Sequence, residues 1–139
     1  MTTSSGGTKI TEIRQLPPPI QMVISAAEDK KASDVVVMDL RDAGAFTDYF
    51  VVCSGQTPRQ VKAIAEHIEE QLRAARIRPA HHEGYGRAEW VLLDYFDFIV
   101  HVFTRETRLF YALDRLWGGA PRIYSPGQGG RVAAVSGGT

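Results

Sequence analysis

The run EWVLLDYFDFIVHVF, residues 89–103, limits most tightly how this chain can fold. It is too short for a membrane-spanning helix, which needs about 20 apolar residues, and Asp94 and Asp97 would lie in hydrocarbon. The run therefore reads as two core strands joined by a turn. A two-residue turn at Tyr95 and Phe96 sets Asp94 opposite Asp97, Leu92 opposite Ile99 and Trp90 opposite His101. Side chains alternate, so Val91, Leu93, Phe98, Val100 and Val102 share one apolar side that belongs against helices. The other side carries Trp90, Leu92, Asp94, Asp97, Ile99 and His101. Two opposed aspartates repel by roughly 0.2–1 kcal/mol, which folding alone gives no reason to keep. Such a face suits the centre of a protein interface with a charged rim. The plainer alternative is that a loop or tail covers Trp90 while the aspartates solvate a turn. Composition and periodicity alone favour the plainer one.

The segments around this hairpin supply the rest of one domain, for which 139 residues suffice. PPPIQMVISAAEDKK opens with prolines suited to a first helical turn and sets Ile20, Val23, Ile24 and Ala27 at helical spacing. DVVVMDL and DYFVVCSG are β-branched runs of the kind buried on both faces of a sheet. TPRQVKAIAEHIEEQLRAAR begins with Thr57 as N-cap and Pro58 at the first helical position, and Val61, Ile64, Ala65, Ile68, Leu72 and Ala75 form its apolar stripe. An edge strand is expected near 81–84. ETRLFYALDRLW reads as a last helix, stopped by Gly118 and Gly119. Helix, two strands, helix, two or three strands and helix describe an α/β fold, a small mixed β-sheet with helices packed on it. Residues 1–16 read as a flexible lead-in, 17–120 as the domain and 121–139 as a flexible glycine-rich tail.

Charge and cysteine content narrow the function. Sixteen Lys and Arg balance 16 Asp and Glu, so no chain-wide basic field exists for gripping nucleic acid. With one cysteine, Cys53, the chain makes no internal disulfide and no cysteine zinc cage, which fits a reducing cytosol. The N-terminal stretch lacks the apolar core of a signal peptide. Ser54 and Gly55, between a strand and a helix, could open an anion-binding turn as in nucleotidyltransferases, but Asp39, Asp94 and Asp97 lack the paired spacing that holds magnesium. His81 and His82 are adjacent on a strand and point apart, so they make a poor metal pair with Glu83, His67 or His101. Cys53 lies inside an apolar strand, where a thiol is inert. No catalytic constellation emerges, and neither a cofactor nor a metal is expected.

TDYFVVCSG, RQVKAIAEHIEEQL, EG, WVLLDYFDFIVHVF and RLFYALDRLW, in this order from about Ile20 to Trp117, closely resemble the ribosomal silencing factor family (RsfS, also called Iojap). The resemblance implies an α/β sandwich akin to nucleotidyltransferases without their catalytic carboxylates. It further implies a cytoplasmic, non-enzymatic translation repressor. Such a protein binds the large ribosomal subunit through its protein L-fourteen, blocks subunit joining under nutrient limitation, and forms homodimers in some members. Organelle relatives are associated with large-subunit assembly. Because ribosomal proteins are basic, the mixed face of the hairpin is then the expected contact. Trp90 would be its anchor, Asp94, Asp97 and Glu83 would face lysines and arginines, and His101 and Tyr95 would complete it. Gly84 would permit a turn or close backbone approach. The glycine-rich stretch after Pro121 lies outside the resemblance. Phe96 departs from the small residue frequent at this hairpin tip, which puts the two-residue register in question.

Overall fold

The computed structural model describes residues 15–111, 121–125 and 133–135. Its elements run α1 (Pro18–Asp29), β1 (Ser33–Asp39), β2 (Tyr49–Gly55), α2 (Pro58–Ala74), β3 (His81–Glu83), β4 (Trp90–Asp94), β5 (Phe98–Thr104), α3 (Arg105–Tyr111), β6 (Arg122–Ser125) and β7 (Ala133–Val135). The strands form one mixed sheet in the order β3-β4-β5-β2-β1-β6-β7. Among the described strands only β2 and β5 pair in parallel, residue for residue from Tyr49 with Phe98 to Gly55 with Thr104. The parallel pair forces a long crossover, which α2, β3 and β4 supply.

Both helices expected in the first half form where the sequence places them. Thr57 caps α2, its hydroxyl accepting from the Gln60 amide at 3.1 Å. The stripe of α2 (Val61, Ile64, Ala65, Ile68, Leu72) and that of α1 (Ile20, Val23, Ile24, Ala27) are buried against Val35, Val37, Val51, Cys53, Val91, Leu93, Val100 and Val102, whereas Ala75, expected to continue the α2 stripe, is its exposed C-cap residue. The opposite sheet face holds a second cluster, Val36, Met38, Leu40, Phe50, Val52, Ile99 and Phe103, with Trp90 and Leu92 half-buried against it. Strands β1 and β2 are therefore buried on both sides, as their unbroken β-branched runs required.

Two expectations change. Leu16, assigned to the lead-in, is a core residue whose carbonyl accepts from the Gln21 side chain at 2.7 Å; residues 1–14 lie outside the described part. The expected tail contributes two strands. Arg122 to Ser125 pair antiparallel with Met38 to Val35, and β7 then pairs with β6. An unpaired outer edge of β1 would leave buried amides and carbonyls without partners, and the short RIYS segment meets that need. Finally, the last helix is described only as Arg105–Tyr111, so its expected continuation to Trp117 lies outside the described residues.

The hairpin register also shifts. Trp90 pairs with Phe103, Leu92 with His101 and Asp94 with Ile99. The turn is Phe96-Asp97, closed by the Tyr95 amide donating to the Phe98 carbonyl at 2.9 Å. Phe96 takes φ 72, a backbone conformation that phenylalanine seldom adopts. Three bonds hold it there. Its amide donates to Asp94 Oδ1 at 2.9 Å, its carbonyl accepts from the Thr47 hydroxyl at 2.8 Å, and the Asp97 amide donates back to the Tyr95 carbonyl at 2.9 Å. Asp94 and Asp97 are consequently not opposed, and the repulsion expected between them does not arise.

Candidate partner-binding face

Strand β3 is the sheet edge, and its register places Glu83 beside Leu92 and His81 beside Asp94. Paired residues of an antiparallel ladder share a face, so Trp90, Leu92, Asp94, His81 and Glu83 all lie on the side away from α1 and α2. Trp90, Leu92 and Asp94 are half-buried there, while His81 and Glu83 are exposed and joined by a 2.6 Å hydrogen bond. The Trp90 ring lies 5.0 Å from that of Phe103, and its indole N–H donates to His101 Nδ1 at 3.1 Å. That bond makes Nδ1 an acceptor and leaves the imidazole proton on Nε2. One edge of the indole is therefore anchored, and part of the ring reaches the surface.

Of the residues expected at the contact, Trp90, Asp94 and Glu83 come together. Gly84 serves the chain itself. At φ +97 its backbone passes so close to β4 that a Cβ would stand 2.0 Å from the Trp90 carbonyl oxygen. A hollow of about 290 Å³ between Gly84, Arg87, Glu89, Trp90 and Thr107 adjoins the indole. Asp97 is exposed but sits in the turn, where its carbonyl accepts from the Asp48 amide at 3.1 Å. His101 and Tyr95 are not surface groups. His101 is only 3% exposed, its ring edge-on to Phe50 at 4.6 Å, because β5 is flanked by strands on both sides. Tyr95 is on the helix side, stacked on Phe98 at 4.9 Å, and burial pushes its hydroxyl pKa up.

Sequence reasoning missed a polar cluster under the edge strand. Glu69 of α2 is buried, and one of its carboxylate oxygens accepts from the Tyr85 hydroxyl at 2.6 Å and meets His82 Nδ1 at 2.8 Å. The signal was present, since Glu69 continues the apolar stripe from Val61 and Ala65 and a buried carboxylate needs partners. His67, expected to be merely solvated, ties the helices together through Asp29 Oδ2 at 3.1 Å. His81 and His82 do point apart, one to Glu83 and the other to Glu69.

The sites considered for chemistry are occupied by the protein itself. Ser54 is buried, and its hydroxyl accepts from Arg108 at 2.9 Å. Burial pushes the Cys53 thiol up to about 12. A cleft of about 780 Å³ lies beyond the ends of β2 and β5, lined by Gln56, Pro58, Glu89, Thr104, Arg105, Glu106 and Thr107. Among the described residues no group of three or more His, Cys, Asp or Glu side chains stands ready to hold one metal ion, and no helix is long and apolar enough to cross a membrane.

Comparison with known proteins decides the family. Residues 14–136 match the family model described as ribosomal silencing factor during starvation. The chain belongs to the RsfS family. The match runs past Pro121 to residue 136 and takes in most of the segment that the resemblance had left out. Ribosomal silencing factor RsfS of Halalkalibacterium halodurans is 38% identical over 104 residues, 75% of this chain and 89% of that protein. The Bacillus subtilis protein of the same name is 38% identical over 73% of this chain and 86% of its own. A mouse relative, mitochondrial assembly of ribosomal large subunit protein 1, is 28% identical over 70% of this chain and 44% of its own. Among solved structures, a Chromobacterium violaceum protein superposes with TM-score 0.71 at 33% identity, covering 78% of this chain and 88% of that one.

Proposed function

We propose that this RsfS-family chain is a translation repressor that binds the large ribosomal subunit through its protein L-fourteen and blocks docking of the small subunit when nutrients are scarce. It acts without catalysis, in the cytoplasm, on a nucleotidyltransferase-like sandwich that can pair into homodimers. The observation that carries the reading is the edge face of β3 and β4. A partly buried indole and Leu92 are bordered there by Asp94 and Glu83, an apolar centre with an acidic rim that complements a basic ribosomal protein. Tryptophan is the residue type most often found to dominate such contacts. A role in large-subunit assembly is the second reading, supported by the name of the mouse relative.

Cosedimentation of the purified protein with large subunits, small subunits and joined ribosomes tests the proposal. Binding to large subunits alone, with fewer joined ribosomes as protein is added, is the expected result. Trp90→Ala should weaken that binding by about 30-fold or more, the size of an interface hot spot, and by more than its effect on folding. Equal losses of binding and stability would show that Trp90 is a core residue only. Glu83→Lys, on an exposed side chain, should weaken binding most at low salt.

A further inference from the structure

Two large apolar side chains among the described residues are strongly exposed, Phe46 at 79% and Phe96 at 75%. They lie on adjoining loops at one end of the sheet. Thr47, next to Phe46 and itself buried, donates its hydroxyl to the Phe96 carbonyl at 2.8 Å. The Asp48 amide donates to the Asp97 carbonyl at 3.1 Å, and the Leu40 amide closes the loop onto the Asp48 carbonyl at 2.8 Å. Phe96 holds φ 72 in a position where glycine would be unstrained. Folding alone favours neither an exposed phenylalanine nor a strained one, and strain of this kind collects where a surface is put to use.

The charges around the two rings select the partner. Asp42, Asp48 and Asp97 are exposed beside them in the chain. The nearest cation on that loop, Arg41, is engaged by Asp39 through bonds of 2.9 and 2.7 Å. Among the described residues the tip therefore presents aromatic rings beside exposed carboxylates, of which Asp48 and Asp97 flank the two rings most closely in the chain. A second copy meeting this tip in a two-fold contact would set the same carboxylates against one another, and a nucleic-acid backbone would be repelled. A basic protein surface with an apolar recess fits.

We propose that Phe46 and Phe96 form a second anchoring point, separate from Trp90, that seats in such a recess on the basic protein partner. The inference rests on the large-subunit reading above and extends its contact from the β3–β4 face to the loop tip. The two anchors are on different structural features, so the partner would be gripped at two places and its orientation fixed as well as its affinity.

The test compares wild type with Phe96→Gly and with Phe96→Gly combined with Phe46→Ser, all with Trp90 intact, in cosedimentation with large subunits, thermal melting and light scattering. Phe96→Gly should melt no lower than wild type, because glycine accepts the positive φ. The double variant should bind large subunits at least about tenfold more weakly, as loss of buried aromatic contacts implies. Wild-type binding retained in the double variant would overturn this inference and leave the parent reading standing. Loss of self-association with subunit binding unchanged would assign the tip to a second copy, which also overturns it. Failure of wild type to bind large subunits would refute the parent reading, and this one with it.

Discussion

Gly84→Ala should be among the most damaging single-methyl changes in this chain, and three glycines allow its causes to be separated. At φ +97 an L residue carries a backbone penalty of about 1–2 kcal/mol. The added Cβ would also stand 2.0 Å from the Trp90 carbonyl oxygen and 3.0 Å from its carbon, backbone atoms that cannot swing aside. Relief requires β4 to retreat by about 1 Å at Trp90, and weakening one or two ladder hydrogen bonds there costs about 1 kcal/mol each. The sum, about 3 kcal/mol, corresponds to a melting temperature lower by roughly 10 °C for a domain of this size. Gly44, at φ +74 with nothing within 4 Å of its Cβ, isolates the backbone part, so Gly44→Ala should cost about 1 kcal/mol. Gly86, at an ordinary φ and also in open space, should tolerate alanine within about 0.5 kcal/mol. Urea unfolding of the three variants followed by tryptophan fluorescence gives the series directly. Equal stabilities of Gly84→Ala and Gly44→Ala would refute the close approach of Gly84 to β4. A Gly84→Ala protein as stable as wild type but deficient in subunit binding would show that the glycine serves the partner after all.

Burial raises the pKa of the Tyr85 and Tyr95 hydroxyls, and at Tyr85 the hydrogen bond to Glu69 adds to it. The unfolded chain therefore releases protons near pH 10 that the native protein keeps. Below that pH the contribution is fully present, and stability should fall as pH rises above about 10, because the unfolded state then binds fewer protons. Urea midpoints across that range, together with tyrosinate absorbance, check this; ionisation of both tyrosines before unfolding would contradict their burial. Cys53, completely buried with its pKa pushed up to about 12, should resist thiol reagents in the native protein. It should react as a single equivalent once denatured, and rapid native labelling would mean that β2 opens readily.

The elements legible in the sequence are those specified locally. Strands β1 and β2 follow from unbroken β-branched runs, and α2 from the Thr57-Pro58 start and its stripe. The misses share a long-range cause. Pairing of RIYS with β1 depends on an edge more than eighty residues away in the chain, and nothing local distinguishes it from linker. Glu69, His82 and Tyr85 belong to a helix, a strand and a loop that only the fold brings together. The turn at Phe96 contradicts local propensity outright, and it is fixed by Thr47 from another loop.

Why the hairpin face survived a wrong register has a simple geometrical answer, and the same geometry explains why Trp90 alone of its aromatic neighbours reaches the surface. Moving the turn from Tyr95-Phe96 to Phe96-Asp97 displaces the pairing by two residues, from Trp90 opposite His101 to Trp90 opposite Phe103. Side chains alternate with period two, so a displacement of two changes every partner and no face. Exposure is then decided by the next strand over. His101 and Phe103 lie in β5, enclosed between β2 and β4. Leu92 and Asp94 lie in β4 beside Glu83 and His81. Trp90 has β5 on one side only, because β3 ends at Glu83 and the chain turns at Gly84 before reaching its level. The length of a three-residue edge strand thus leaves the indole half uncovered, with Glu83 marking the border. Lengthening β3 should cover Trp90, whereas Glu83→Lys would leave it bare and reverse the charge beside it.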